Sequence, residues 1–134
     1  MEKRLKRHVH TRAENRCEYC RLRQDCDPFY TFPIDHIIAR QHRGGTTLDN
    51  LCLSCFWCSS HKGPNIASID PVSRDLVRLY HPREDERKDH FQSNGPLLVG
   101  KTPIGRTTVE VLALNHPHNV QLREALLTSG ESLD

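Results

Sequence analysis

The chain has 134 residues, 36% of them hydrophobic and 27% charged, and carries a formal net charge of +2. That length suits one domain, that composition suits a soluble globular protein, and no run approaches the roughly 20 apolar residues of a membrane span. The basic N-terminus MEKRLKRHVHTR leads into no apolar stretch, so no export signal is read and a cytoplasmic location is expected. Six cysteines in such a chain would stay reduced and suit metal ligation better than a disulfide framework.

The charge is unevenly spread. Residues 1–23 hold eight Lys or Arg against three acids, a local +5, whereas residues 63–134 hold eight basic against ten acidic residues, a local −2. Basic charge gathered at one end fits a phosphate-backbone partner, and it fits a solvated helix face equally well.

In chain order, Leu5, Val9 and Ala13 recur every fourth residue and predict an amphipathic helix over residues 3–16. Cys17 and Cys20 follow it directly. Residues 21–28 read as a loop in which Cys26 has no partner at ligand spacing. Residues 29–38 are aromatic and β-branched and read as a strand, which Pro33 confines to a sheet edge or a late start. Gly44-Gly45 and Thr46-Thr47 form a loop, residues 50–54 a second strand, and residues 55–62 a short helix stopped by Gly63-Pro64. Beyond it the signals are architectural. A hairpin is expected over residues 69–80, and a tight turn at Asn94-Gly95. Thr102-Pro103 should cap a helix that sends Val109, Leu112 and Leu114 to the core. Residues 120–127 predict a last helix, with TSGESLD fraying after it.

Two Cys-x2-Cys pairs, Cys17/Cys20 and Cys55/Cys58, have the spacing of a tetrahedral four-sulfur zinc site. A small core buries little apolar surface, and a structural Zn²⁺ would staple the first helix to the junction of the second strand and the short helix. Cys52 and Cys55 share the same spacing; the helix start favours Cys55 with Cys58 and leaves Cys52 as a small strand residue. Asp35-His36 lies at a strand end between the two pairs, with Asn50 fourteen residues after the histidine. A second Asp-His pair, Asp89-His90, has no such surroundings and reads as structural.

The run DHII, then GG, then DNL, then Cys-x2-Cys and Lys62-Gly63 resembles the HNH endonuclease family in its zinc-stapled form, over residues 12–64 and less specifically through KGPNIASIDP, HPRED and GRTTVEVLALN to a bacterial HNH subgroup. The resemblance implies an α+β fold: a ββα-metal, treble-clef-like core carrying a four-cysteine zinc, followed by a C-terminal hairpin and helix extension, all in one domain. It implies a DNA endonuclease that leaves 5′-phosphate and 3′-hydroxyl ends. His36 is then the general base, Asp35 a ligand of a single catalytic Mg²⁺ or Mn²⁺, and Asn50 a brace for the loop that orients the histidine.

Physical chemistry supports those roles. An imidazole titrates near neutrality and can take a proton from water, a carboxylate is a hard ligand for such cations, and an amide, which cannot ionise, suits orientation. The sequence departs from the family at Ser59, where a His or Asn metal ligand is usual; His61 is two helical residues further, about 200° away around the axis. Ser59 and His61 are therefore the weaker candidate ligands. Lys3, Arg4, Lys6, Arg7, Arg12, Arg40 and Lys62 are the expected phosphate contacts, with weak sequence preference because no base-reading element is visible. The alternative is a catalytically impaired or non-catalytic zinc module that binds nucleic acid.

Overall fold

The structure, a computed structural model, describes residues 1–133. Helix α1 (Lys3–Ala13) buries Val9 and Ala13 and half-buries Leu5, as the four-residue spacing predicts. It ends three residues short of the expected boundary because Glu14 and Asn15 both take a left-handed φ of 55°. Their amides return to the Thr11 and His10 carbonyls, satisfying the end of the helix. The chain then makes a compact knuckle, with Cys17 N donating to Leu22 O at 2.8 Å and Arg21 N to Cys17 O at 2.9 Å.

Strands β1 (Ile34–His36) and β2 (Leu51–Leu53) pair antiparallel, with Asp35 opposite Cys52 and His36 opposite Leu51. β1 is far shorter than residues 29–38 suggested, and local side chains explain why. Asp27 Oδ1 accepts from the amides of Phe29 and Tyr30, while Gln24 takes the Phe32 amide through Oε1 and donates to Tyr30 O. Backbone groups that a strand partner would have used are thus already satisfied, and Pro33 has no amide to offer. Helix α2 (Phe56–Lys62) begins at an N-cap supplied by a sulfur, Cys55 Sγ accepting from Cys58 N. The first knuckle lies along β2: Glu18 N donates to Leu53 O, and Leu53 N donates to Glu18 Oε2, both at 2.8 Å.

The C-terminal part contains two more hairpins, β3 (Ala67–Ile69) with β4 (Leu76–Arg78) and β5 (Phe91–Asn94) with β6 (Leu97–Gly100). A short helix α3 (Arg87–His90), which no sequence signal announced, precedes β5. Helix α4 (Pro103–Val111) starts as predicted, Thr102 Oγ1 accepting from Gly105 N at 3.1 Å. A Cβ at residue 105 would sit 2.0 Å from His90 O, so glycine is needed for α4 to lie against the end of α3. Leu112 and Leu114 are fully buried and Val109 half-buried. Helix α5 (Pro117–Thr128) begins three residues before the predicted start, since His116 Nδ1 caps it by accepting from His118 N and Pro117 occupies its first position. His90 of the second Asp-His pair bonds Thr102 Oγ1 at 2.6 Å, a structural contact.

The expected fraying of TSGESLD is corrected over residues 128–133, residue 134 lying outside the described residues. Glu131 pairs with Arg16 and Arg23, Ser132 O accepts from Arg16 at 2.8 Å, and Leu133 is 4% exposed. The tail is held because the first knuckle presents two arginines to it. The whole is an α+β arrangement in which the core residues of the ββα unit and of the C-terminal hairpins form one apolar cluster. None of the helices among the described residues is long and apolar enough to cross a membrane.

Candidate metal centre and active site

The four sulfurs of Cys17, Cys20, Cys55 and Cys58 lie within 4.8 Å of one another, and all four residues are buried. A tetrahedron with Zn–S of about 2.3 Å has sulfurs about 3.8 Å apart. Cys20 and Cys55, one from each pair, are separated by 3.6 Å between Sγ atoms, so the donor set fits that ion. Backbone amides already point at the cluster: Cys20 N to Cys17 Sγ and Cys58 N to Cys55 Sγ, each at 3.4 Å. Burial alone would raise the Cys17 thiol, but hydrogen bonds from the other three sulfurs hold it well below its ordinary value. The same sulfur contacts push the Cys55 thiol up, and burial does so for Cys58, so the cluster shares its protons and a metal ion must displace those that remain before all four can ligate it. Cys52 takes no part: its Sγ faces the Tyr19 hydroxyl at 3.7 Å, and burial pushes its thiol up to about 12. The spacing ambiguity is resolved in favour of Cys55 with Cys58.

Pairing of β1 with β2 and the start of α2 bring Asp35, His36 and Ser59 to one shallow hollow of about 290 Å³, lined also by Ala39, Arg40, Gly63 and Pro64. Ser59 Oγ donates to Asp35 Oδ1 at 3.1 Å. Among the described residues the second carboxylate oxygen makes no hydrogen bond. Burial raises the Asp35 pKa, with the Ser59 hydrogen bond acting against it. A half-buried carboxylate held on one oxygen and open on the other is a suitable donor for a hard divalent cation. On the other side of the hollow, His36 Nε2 lies 2.8 Å from Thr46 Oγ1.

Asn50 does not touch His36. Its Oδ1 accepts from Ile38 N at 2.9 Å, and its Nδ2 donates to Ile38 O at 3.0 Å and Gly45 O at 2.9 Å. It closes the loop that carries Thr46, whose hydroxyl is the group that meets the imidazole. Gly44 is needed there, since a Cβ would lie 1.8 Å from Ile38 O. Sequence reasoning passed over Thr46; a hydroxyl directly after Gly-Gly was the available signal.

The remaining expected residues divide. His61 turns from the hollow: its Nδ1 meets Trp57 O at 2.7 Å, and its ring lies among Trp57 and His116. Lys62, expected at the surface, is 3% exposed and donates from Nζ to Ile37 O at 2.8 Å, tying α2 to the end of β1. It cannot meet a phosphate from there. Arg12 is half-occupied by structure, donating to Leu48 O at 2.9 Å and Leu51 O at 2.7 Å. Lys3, Arg4, Lys6, Arg7 and Arg40 are exposed. Arg4, Arg7, His8, Thr11 and Arg12 line a groove of about 400 Å³ along α1, and Arg12 links that groove to the loop following Thr46. A larger hollow of about 720 Å³ between His10 and Thr31 mixes Glu14 and Asp25 with Arg23 and lacks the Asp-His chemistry.

Of the curated proteins, the Septu protein PtuB of Bacillus thuringiensis is 29% identical over 105 residues, covering 77% of this chain. The chain spans 38% of the length of that relative. No solved structure matches. Residues 17–65, which fold into the first knuckle, β1, β2 and α2, match the HNH endonuclease family, as the motifs implied.

Proposed function

We propose that this protein is an HNH-type nuclease that hydrolyses DNA phosphodiester bonds. The observation that carries the reading is the convergence of Asp35 and His36 on one open hollow, beside the exposed Arg40 and within the segment that matches the family. A Mg²⁺ or Mn²⁺ bound at Asp35 would supply charge stabilisation for the phosphate and the departing oxygen. His36 takes the proton of the attacking water. In the tautomer that carries the proton on Nε2, the Thr46 hydroxyl accepts it and Nδ1 is left as the basic nitrogen. Arg40 and the groove on α1 bind the phosphate backbone.

Plasmid cleavage with Mg²⁺ or Mn²⁺ tests the proposal. Wild type is expected to nick or cut DNA, and His36→Ala to lose about 10²-fold or more of that rate. Equal cleavage by the two proteins rejects the assignment. A second reading rests on Ser59, whose hydroxyl stands where the resemblance expects a stronger metal ligand: a zinc module that binds DNA without cutting it. Retained DNA binding with no cleavage by either protein favours it.

A further inference from the structure

Asn119 stands on α5, ninety-nine residues after Cys20, and is fully buried. Its amide Nδ2 donates to Cys55 Sγ at 3.3 Å and to Cys20 Sγ at 3.6 Å, one sulfur from each Cys-x2-Cys pair. Its Oδ1 is also buried and has no hydrogen-bond partner. A side-chain amide sealed from water in this way needs strong acceptors, and a neutral thiol is a weak one. A thiolate is a strong one.

When Zn²⁺ binds, the four cysteines release their protons to solvent and leave a cluster of net charge about −2. Both N–H bonds of Asn119 then point at that charge. We propose that Asn119 holds the two halves of the metal centre from outside the coordination sphere, so that docking of α5 and retention of the metal stabilise one another. Such coupling is reciprocal by thermodynamic necessity. It gives the C-terminal region a role the motifs did not disclose, because α5 also carries Arg123, which donates to Pro96 O at 2.8 Å and to Asn115 Oδ1 at 2.9 Å. Asn115 in turn brackets the backbone of Leu98 on β6. His116, at the head of α5, stacks on Trp57 of α2 with centroids 4.2 Å apart. The inference rests on the four-cysteine centre and not on nuclease activity, so it stands or falls separately from the proposed function.

The test compares metal retention by zinc-loaded full chains in competition with a chromophoric chelator. Asn119→Leu keeps the branched shape and removes both donors; Leu126→Ala weakens the packing of the same helix without touching sulfur. Asn119→Leu is expected to lose zinc about tenfold or more readily, and Leu126→Ala, which loosens α5 but leaves the amide on sulfur, to lose it more readily by a smaller factor of about threefold. With Co²⁺ in place of Zn²⁺, the sulfur-to-metal absorption band should shift in Asn119→Leu and not in Leu126→Ala. Wild-type retention by Asn119→Leu, an unmoved band, or equal loss in both variants overturns the proposal. Should Asn119→Leu not fold, hydrogen exchange of the wild type decides. On chelation α5 should lose protection together with the cysteine knuckles, and protection kept by α5 while the knuckles open would overturn the coupling.

Discussion

Thr46 hydroxyl and His36 imidazole sit 2.8 Å apart, and that one contact orients the proposed base. A neutral hydrogen bond contributes about 1 kcal/mol, which is about fivefold in rate. Thr46→Val is therefore expected to lower kcat about fivefold with KM unchanged and to move the pH dependence of kcat, while Thr46→Ser restores both. Steady-state cleavage across pH measures this; an unaltered profile in the valine variant would remove Thr46 from the mechanism. Lys62 supplies a contrast at the same scale. Burial lowers its pKa and its ammonium is bonded to Ile37 O, so its charge serves the fold. Lys62→Met should reduce stability by about 1–3 kcal/mol and leave the salt dependence of DNA binding unchanged. Arg4→Ala and Arg7→Ala should each lessen the log–log salt slope by about 1 with no loss of stability. Binding titrations at several salt concentrations separate these outcomes.

Among the elements, the loop between β1 and β2 decides the geometry. Both glycines look alike in sequence, yet only the first meets backbone. A Cβ on Gly44 would collide with Ile38 O and crowd Asn50 Nδ2 at 2.7 Å, whereas one on Gly45 would touch only Thr47 atoms at 3.7 and 3.9 Å. Gly44→Ala should thus destabilise the protein by about 2 kcal/mol or more and reduce cleavage with it; Gly45→Ala should stay within about 1 kcal/mol. Thermal melts of the two variants check the difference, and equal melting temperatures would refute this account of the loop. The same comparison shows what local pattern can convey. Cys-x2-Cys, Asp-His, Gly-Gly and Asn-Leu were legible because each is a short-range device with fixed spacing. Extended residues 29–32 misread as strand because Asp27 and Gln24 capture their amides, a competition invisible to β-propensity.

On the scale of the whole molecule, the C-terminal hairpins are fastened by ion pairs. Asp70 is fully buried and bonded by Arg106 on two oxygens, and Asp85 is bonded by Arg78 on two. Hydrogen bonds from Arg78 hold the Asp85 carboxyl down to about 2. A depressed pKa means that the folded form binds the proton less readily than the unfolded one. The stabilisation is then present above the ordinary carboxylate range and fades as the pH falls through about 4 toward 2. With Arg78 half exposed, it amounts to about 1 kcal/mol. Asp85→Asn should consequently be less stable than wild type by that amount at pH 7, with the gap closing at acid pH; urea midpoints over this range measure it, and a constant gap would show that the pair carries no such linkage.

The sequence by itself determined the ligand chemistry: four cysteines in two knuckles, a carboxylate beside an imidazole, and the ββα order between them. Those features depend on residue type and separation of a few positions, which the chain states directly. Only the tertiary structure decided that Cys52 stays out of the sulfur cluster, that Lys62 is buried, that Thr46 and not Asn50 meets His36, and that Asn119 reaches two sulfurs from the far end of the chain. Each of these is a meeting between elements distant in sequence, or a choice of face, and the direction a side chain takes is set by what packs against it.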